Sequence, residues 1–346
     1  MSVAAKTLML FAVSFSLLAS CQTPAAAEQN RPLRILHVMS FDSPWRWTDG
    51  QFAGFKQGLG PVDVEYKVFQ MDVKRHSRPE EKAQRGQMAR EIIDSWRPDL
   101  VYTSDDDAVE FVTRKYLNTS LPFVFSGVNK TLESHGLTGA SNVTGVLEKE
   151  HFVESVRLLK EIVPQVKRLA IITDHGTYWG SVIERIESSL DRLPGISLAT
   201  IDRVQSFEEF QEKLASYPHR ADAIVFLGIF TLKDRNGNNV PYQEVQKWAS
   251  QNSRLPDISF WVDRVHFGVL ASVTVSEHEQ GLAAGRLARE ILINGRRPST
   301  LPIEATVKGQ PVISLARAGQ LGISVKSSLL LTSEVVTEFQ WGAPGQ

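Results

Sequence analysis

Residues 40–47 read Ser-Phe-Asp-Ser-Pro-Trp-Arg-Trp, which crowds a carboxylate and two indoles into one short segment. Asp42 can take an amine, and Trp45 and Trp47 offer flat apolar faces to a ligand, although either ring can equally close the following helix onto a core. Ser104, Asp105 and Asp106 stand at a helix start, where the helix dipole favours carboxylates even without a ligand. Asn129 offers both donor and acceptor to a polar guest, and backbone donors near Ser126 and Gly127 suit a carboxylate. Asp174, His175, Thr177 and Tyr178 occupy the corresponding loop of the second half, and Gly228, Phe230, Trp261 and Asp263 complete the set. Rings beside carboxylates, an amide and backbone donors do the chemistry of recognition. They suit an amino acid or similar small organic molecule, and an acid-lined cleft equally suits a cationic or hydroxylated one.

Nothing in the pattern points to turnover. Asp, His and Ser are all present, but no G-x-S-x-G elbow occurs and no Gly-rich dinucleotide or phosphate loop follows a strand. Glu150, His151 and Glu154 share a helical spacing that makes a partial metal site at best, and a solvated charged face accounts for them better. Asp234, Asn236 and Asn238 alternate as at the start of a calcium loop. Asn239 stands where that loop needs Gly and Val245 where it needs Glu, so a surface turn is expected. No catalytic residue, metal or cofactor is expected.

The loops that carry these groups follow short, continuous apolar runs: RILHVMS, DLVYTS, LPFVFSGV, RLAIITD, DAIVFLG and DISFWV. Continuous rather than alternating hydrophobicity predicts strands buried on both faces. Helical spacing of Phe152, Val156, Leu159 and Val163, and of Val182, Ile186, Leu190 and Leu193, fills the gaps between them. Strand and helix in alternation mean parallel sheets, with ligand loops at the strands' carboxyl ends. Ser206 with Glu209 and Ser276 with Glu279 read as capping boxes. Gly281 and Gly285, in the helix after Ser276, let a neighbouring element approach closely. The units group into two successive doubly wound halves, and residues 142–150 join them as a hinge or as a plain loop before a helix.

The chain has 346 residues and a net charge of −1, which removal of Lys6 with a leader would take to −2, so no basic excess points to nucleic acid. Lys6 followed by the apolar run Leu8 to Leu18 has the layout of a secretory signal and is too short to stay across a bilayer. Leu18-Ala19-Ser20-Cys21 resembles the lipobox of bacterial lipoproteins. That implies a signal peptide at 1–20, a lipid on Cys21, a tether over 21–30, and a periplasmic or cell-envelope protein held at a membrane. Cys21 is the single cysteine, so disulfides contribute nothing to the fold.

The segments PDLVYTSDDDAVEFV, LPFVFSGVNKTLESHGLTGASNVTGV, GLAAGRLAREILINGRRPSTLPIE and ISLARAGQLGISV, in that order, are similar to the ABC transporter substrate-binding protein family of the type I periplasmic binding fold. The resemblance implies an α/β protein of two doubly wound parallel-sheet lobes joined by three hinge crossings, with a small ligand in the cleft between them. By it, lobe 1 takes residues 31–147 and 275–303, and lobe 2 takes 148–274 and 304–346. It also implies a monomer that works through partners, either the membrane subunits of an ABC importer or a membrane sensor protein.

Overall fold

The apolar runs form strands with both faces covered. The computed structural model describes residues 31–342, and a compact unit begins at Leu33. The expected leader, Cys21 and the expected tether lie outside the described residues. The first half contains β1 (Leu33–Met39), α1 (Arg46–Leu59), β2 (Val64–Gln70), α2 (Pro79–Trp96), β3 (Leu100–Ser104), α3 (Asp105–Phe111), β4 (Phe123–Val128) and β5 (Val143–Leu147). The second contains α4 (Phe152–Ile162), β6 (Arg168–Thr173), α5 (Trp179–Ser188), β7 (Ser197–Arg203), α6 (Phe207–Ser216), β8 (Ala223–Phe226), α7 (Tyr242–Asn252), β9 (Asp257–Ile258), α8 (Val262–His266) and β10 (Ala271–Val275). After it come α9 (Glu277–Leu292), β11 (Glu304–Ala305), β12 (Gly309–Ser314), α10 (Leu315–Leu321), α11 (Ser327–Leu330) and β13 (Glu334–Val336).

These strands make two sheets. One runs β11-β5-β4-β3-β1-β2 and is parallel throughout. The other runs β13-β12-β10-β9-β8-β6-β7 and is parallel except where β10 meets β12. The chain passes from the first sheet to the second after β5, leaves the second after β10, and returns to it after β11. Each sheet with its helices forms one lobe.

Burial explains which strands the sequence declares. β3, β4, β8 and β10 are buried along their whole length, as parallel strands covered by helices on both faces must be. The edge strands β2 and β7 are mostly half-buried or exposed and so lack a continuous apolar run. DISFWV is extended only over Asp257–Ile258, because Trp261 is already the N-cap of α8.

Helix α9 returns the chain to the first lobe by backbone contact with α1. A methyl group added to Gly281 would lie 1.9 Å from the Gln51 carbonyl oxygen, and one on Gly58 would lie 2.2 Å from that of Leu282. Only hydrogen fits between the helices there, so close packing is the role of the α9 glycines. Ser276 caps this helix by accepting from the Glu279 N–H, and Ser206 does the same for α6 from the Glu209 N–H. The Glu209 carboxylate reaches one residue further back than a capping box requires, to the Gln205 N–H.

Candidate ligand-binding site

The carboxyl ends of both sheets face one narrow cavity, with about 420 Å³ of space when its opening to solvent is included. From the first lobe, Phe41, Trp45 and Trp47 reach it from the loop and helix after β1, Asp105, Asp106 and Asp107 from the start of α3, and Asn129 from beyond β4. From the second lobe come Tyr178 and Trp179 after β6, Phe230 after β8, and Trp261 after β9. Glu148 enters from the passage between the sheets, one residue past β5.

The rings are braced from behind. The Trp179 Nε1 donates to Asp174 Oδ1 at 2.7 Å, while Asp174 Oδ2 accepts from the N–H groups of Phe230 and Thr231. Asp174 therefore orients the wall rather than facing the guest. Gly228 leaves room for the same ring, since a methyl there would sit 2.2 Å from Trp179. Trp179, Phe230 and Trp261 meet with centroids 6.0 to 6.4 Å apart, and Trp261 stands roughly edge-on to the other two.

The four carboxylates are not equivalent. Asp106 is saturated, accepting from the N–H groups of Asn129 and Lys130 at 3.0 Å each and from His135 Nε2 at 2.7 Å. Asp107 is neutralised by Lys82 at 2.9 Å. Asp105 accepts only neutral donors, Trp47 Nε1 at 2.8 Å and the Gln51 amide at 3.3 Å. Glu148 also has only neutral donors, Trp261 Nε1 at 2.9 Å from one lobe and Asn129 Nδ2 at 3.1 Å from the other. Asp105 is 5% exposed and Glu148 3%. Burial pushes the Asp105 carboxyl up to about 8, against the Trp47 hydrogen bond and with help from neighbouring Asp106. Burial, reinforced by Asp105, likewise raises Glu148 well above the usual carboxylate range. Asp105 also holds φ = 70°, a left-handed conformation that a non-glycine residue rarely adopts.

At the mouth of the cleft the protein already cages a cation of its own. Lys74 Nζ lies 3.1 Å from the Trp45 ring centroid, with Phe41, Phe230 and Tyr242 within 6 Å. Burial pushes its amine down to about 8, with Asp42, 3.7 Å away, opposing. The lobes are tied there as well. Trp45 Nε1 donates to Tyr242 OH at 3.2 Å and to Asp263 Oδ2 at 3.3 Å, and Tyr242 OH donates to Asp263 at 2.6 Å.

Of the residues chosen from sequence, Trp45, Trp47, Asp105, Asp106, Asn129, Tyr178, Phe230 and Trp261 come together around the cavity. Asp42 does not, because Lys74 and Arg75 hold it at the outer mouth. Ser104 bonds His37, and Ser126 bonds Tyr102 and Gln51, in the buried layer beneath. The Gly127 N–H is taken by Gln280 Oε1 at 3.1 Å, so it offers nothing to a ligand carboxylate. His175 and Thr177 are exposed, and Asp263 stands behind Trp45. Sequence reasoning passed over Phe41, Asp107, Glu148 and Trp179. Three of these sit beside chosen residues, whereas Glu148 lay in the segment read for its backbone alone. Glu150 is occupied by Arg185 at 2.7 Å, and Asp234 accepts the N–H groups of Asn236 and Asn238 in a turn.

A model of the ABC transporter substrate-binding protein family matches residues 39–337. No curated protein matches the chain. Among solved structures, an ABC domain from Streptococcus pneumonia in complex with L-Trp is similar at 21% identity and a TM-score of 0.71, covering 89% of this chain and 100% of that one. A conserved domain protein from Vibrio cholerae is similar at 18% identity and a TM-score of 0.70, with the same coverages. A ligand-free, open substrate-binding protein with adhesive properties from Clostridium difficile is similar at 15% identity and a TM-score of 0.64, covering 88% of this chain and 99% of that one. At these identities the likeness is one of fold.

Proposed function

The chain belongs to the ABC transporter substrate-binding protein family, and on that premise we propose that it captures a small organic ligand with an aromatic or apolar part between its lobes, for delivery to an importer's membrane subunits. The observation that carries the reading is the ring-walled cavity whose lining is divided between the two sheets. Binding of this kind needs only differential affinity for the closed arrangement and no reacting group. The L-Trp held by the Streptococcus pneumonia structure supports starting from aromatic compounds. We also propose that Cys21 carries the lipid that keeps the protein at a membrane, on the strength of Leu18-Ala19-Ser20-Cys21 alone.

Mass spectrometry of protein purified without denaturation is expected to show a copurifying small molecule, and adding it back is expected to raise the melting temperature. At a hundred times the dissociation constant the stabilisation is about 2.7 kcal/mol. A protein that releases nothing and melts identically with every fraction of a cell extract would refute the reading. For the anchor, palmitate labelling is expected in cells making the wild type and absent with Cys21→Ala.

A further inference from the structure

The cavity's charge is unbalanced in one direction. Its lining holds four carboxylates and no Lys, Arg or His. Two of the four already have partners, Asp107 in Lys82 and Asp106 in His135; Arg185 is held by Glu150 and the Asn129 carbonyl, and Lys74 by Asp42 and the Trp45 face, from which it acts on Asp105 only through space. Arg264 is buried against Phe230 and Tyr242, donating from Nε and Nη2 to Gln246 Oε1 while its Nη1 has no partner. Asp105 and Glu148 therefore face an apolar space as buried acids with neutral donors only, an arrangement that costs free energy until a countercharge arrives.

We propose that the ligand is a small organic cation, an amine or quaternary ammonium borne on an aromatic or apolar body, whose charge lies between Asp105 and Glu148 and against the rings of Trp179, Phe230 and Trp261. This rests on the binding-protein reading above and narrows its substrate class. Indole faces attract cations most strongly among side chains, and desolvation strengthens that attraction. The Lys74 cage, which shares Trp45 and Phe230 with the cavity, shows the same surface already accommodating an ammonium group. A ligand carboxylate would instead meet Asp105 and Glu148, with Lys82 and His135 already spent on Asp107 and Asp106 and the Gly127 N–H taken. Two carboxyls raised by burial fit that role, since a cation arriving between them favours their ionised form.

Isothermal titration with four probes on one scaffold tests this: tryptamine, tryptophan, 3-indolepropionate and indole. Tryptamine is expected to bind at least tenfold tighter than tryptophan, and 3-indolepropionate to bind more weakly than indole. Glu148→Gln and Asp105→Asn are each expected to weaken tryptamine tenfold or more while melting, without ligand, no lower than the wild type, which separates a lost countercharge from a lost fold. Tighter binding of tryptophan or 3-indolepropionate than of tryptamine, Arg264 then being the anchor, would overturn the cation and leave the binding-protein reading intact. Unchanged tryptamine affinity in both variants would do the same. Failure of all four probes would overturn the proposal, and the copurification experiment then judges the broader reading separately.

Discussion

Replacing Asp105 with Asn should make the empty protein more stable, and increasingly so as pH rises. The folded carboxyl titrates near 8 and the unfolded one near 3.8, so between those values the folded chain holds a proton that the unfolded chain has released. Stability therefore falls as pH rises through this window, at up to ~1.4 kcal/mol per pH unit, and the loss is complete above about 8. The ceiling is about 6 kcal/mol, and any lobe opening that readmits water to the carboxylate relieves part of it. Asn keeps an acceptor for Trp47 and carries no charge. It also tolerates φ = 70° better than most residues, which adds a small stabilisation independent of pH. Glu148 and Lys74 respond to the loss of the Asp105 charge, so the comparison reads Asp105 together with its coupling to them. Urea unfolding of ligand-free wild type and Asp105→Asn at pH 5, 6, 7 and 8 gives the difference directly. A gap that widens with pH supports the reasoning. A gap that stays constant from pH 5 to 8, or narrows, would show that Asp105 is not a buried acid without a countercharge.

Three further outcomes follow from contacts elsewhere. Gly281→Ala drives a methyl group into the Gln51 carbonyl, which helix backbone cannot yield, and should cost about 3 kcal/mol or more in a denaturant melt. Arg317→Met leaves Asp257 charged at 1% exposure and should cost about 3–5 kcal/mol, most of it recovered in the double variant with Asp257→Asn. Trp45→Phe keeps a ring at the mouth but loses the Nε1 bonds to Tyr242 and Asp263. Ligand dissociation in stopped flow should then speed up about fivefold, for roughly 1 kcal/mol of lost inter-lobe bonding, and an unchanged rate would remove Trp45 from the closure.

The sequence announced the site as far as burial made it uniform. Strands covered on both faces are largely apolar, so β3, β4, β6 and β8 stood out, and the loops after them led to Asp105, Asn129, Tyr178 and Phe230. Edge strand β2 has an alternating pattern that gives no such run, and Lys74, in the loop beyond it, went unconsidered. Asp42 and Asp105 look alike as residues. Only the fold shows that Lys74 and Arg75 pair with the first, while the second takes its hydrogen bonds from neutral groups and feels Lys74 only through space. Glu148 is the sharpest case. Its importance comes from accepting bonds from Asn129 and Trp261, 19 and 113 positions away in the chain, and no local spacing encodes a meeting of that kind.

The division of the lining between lobes sets what a guest must contain. Asp105 and Asn129 belong to one sheet's loops and Trp179, Phe230 and Trp261 to the other's, with Glu148 bonded to both. A ligand favours the closed arrangement only by contacts it makes there and nowhere else. Methylammonium should satisfy the carboxylates without filling the ring-walled space, and indole should fill that space without supplying a charge. Joined as tryptamine, the two fragments share one loss of translational freedom and should bind with more free energy than their separate values combined. Calorimetry of the three compounds tests the division directly. If indole alone accounts for the whole affinity of tryptamine, the carboxylates are spectators and closure is driven by the rings.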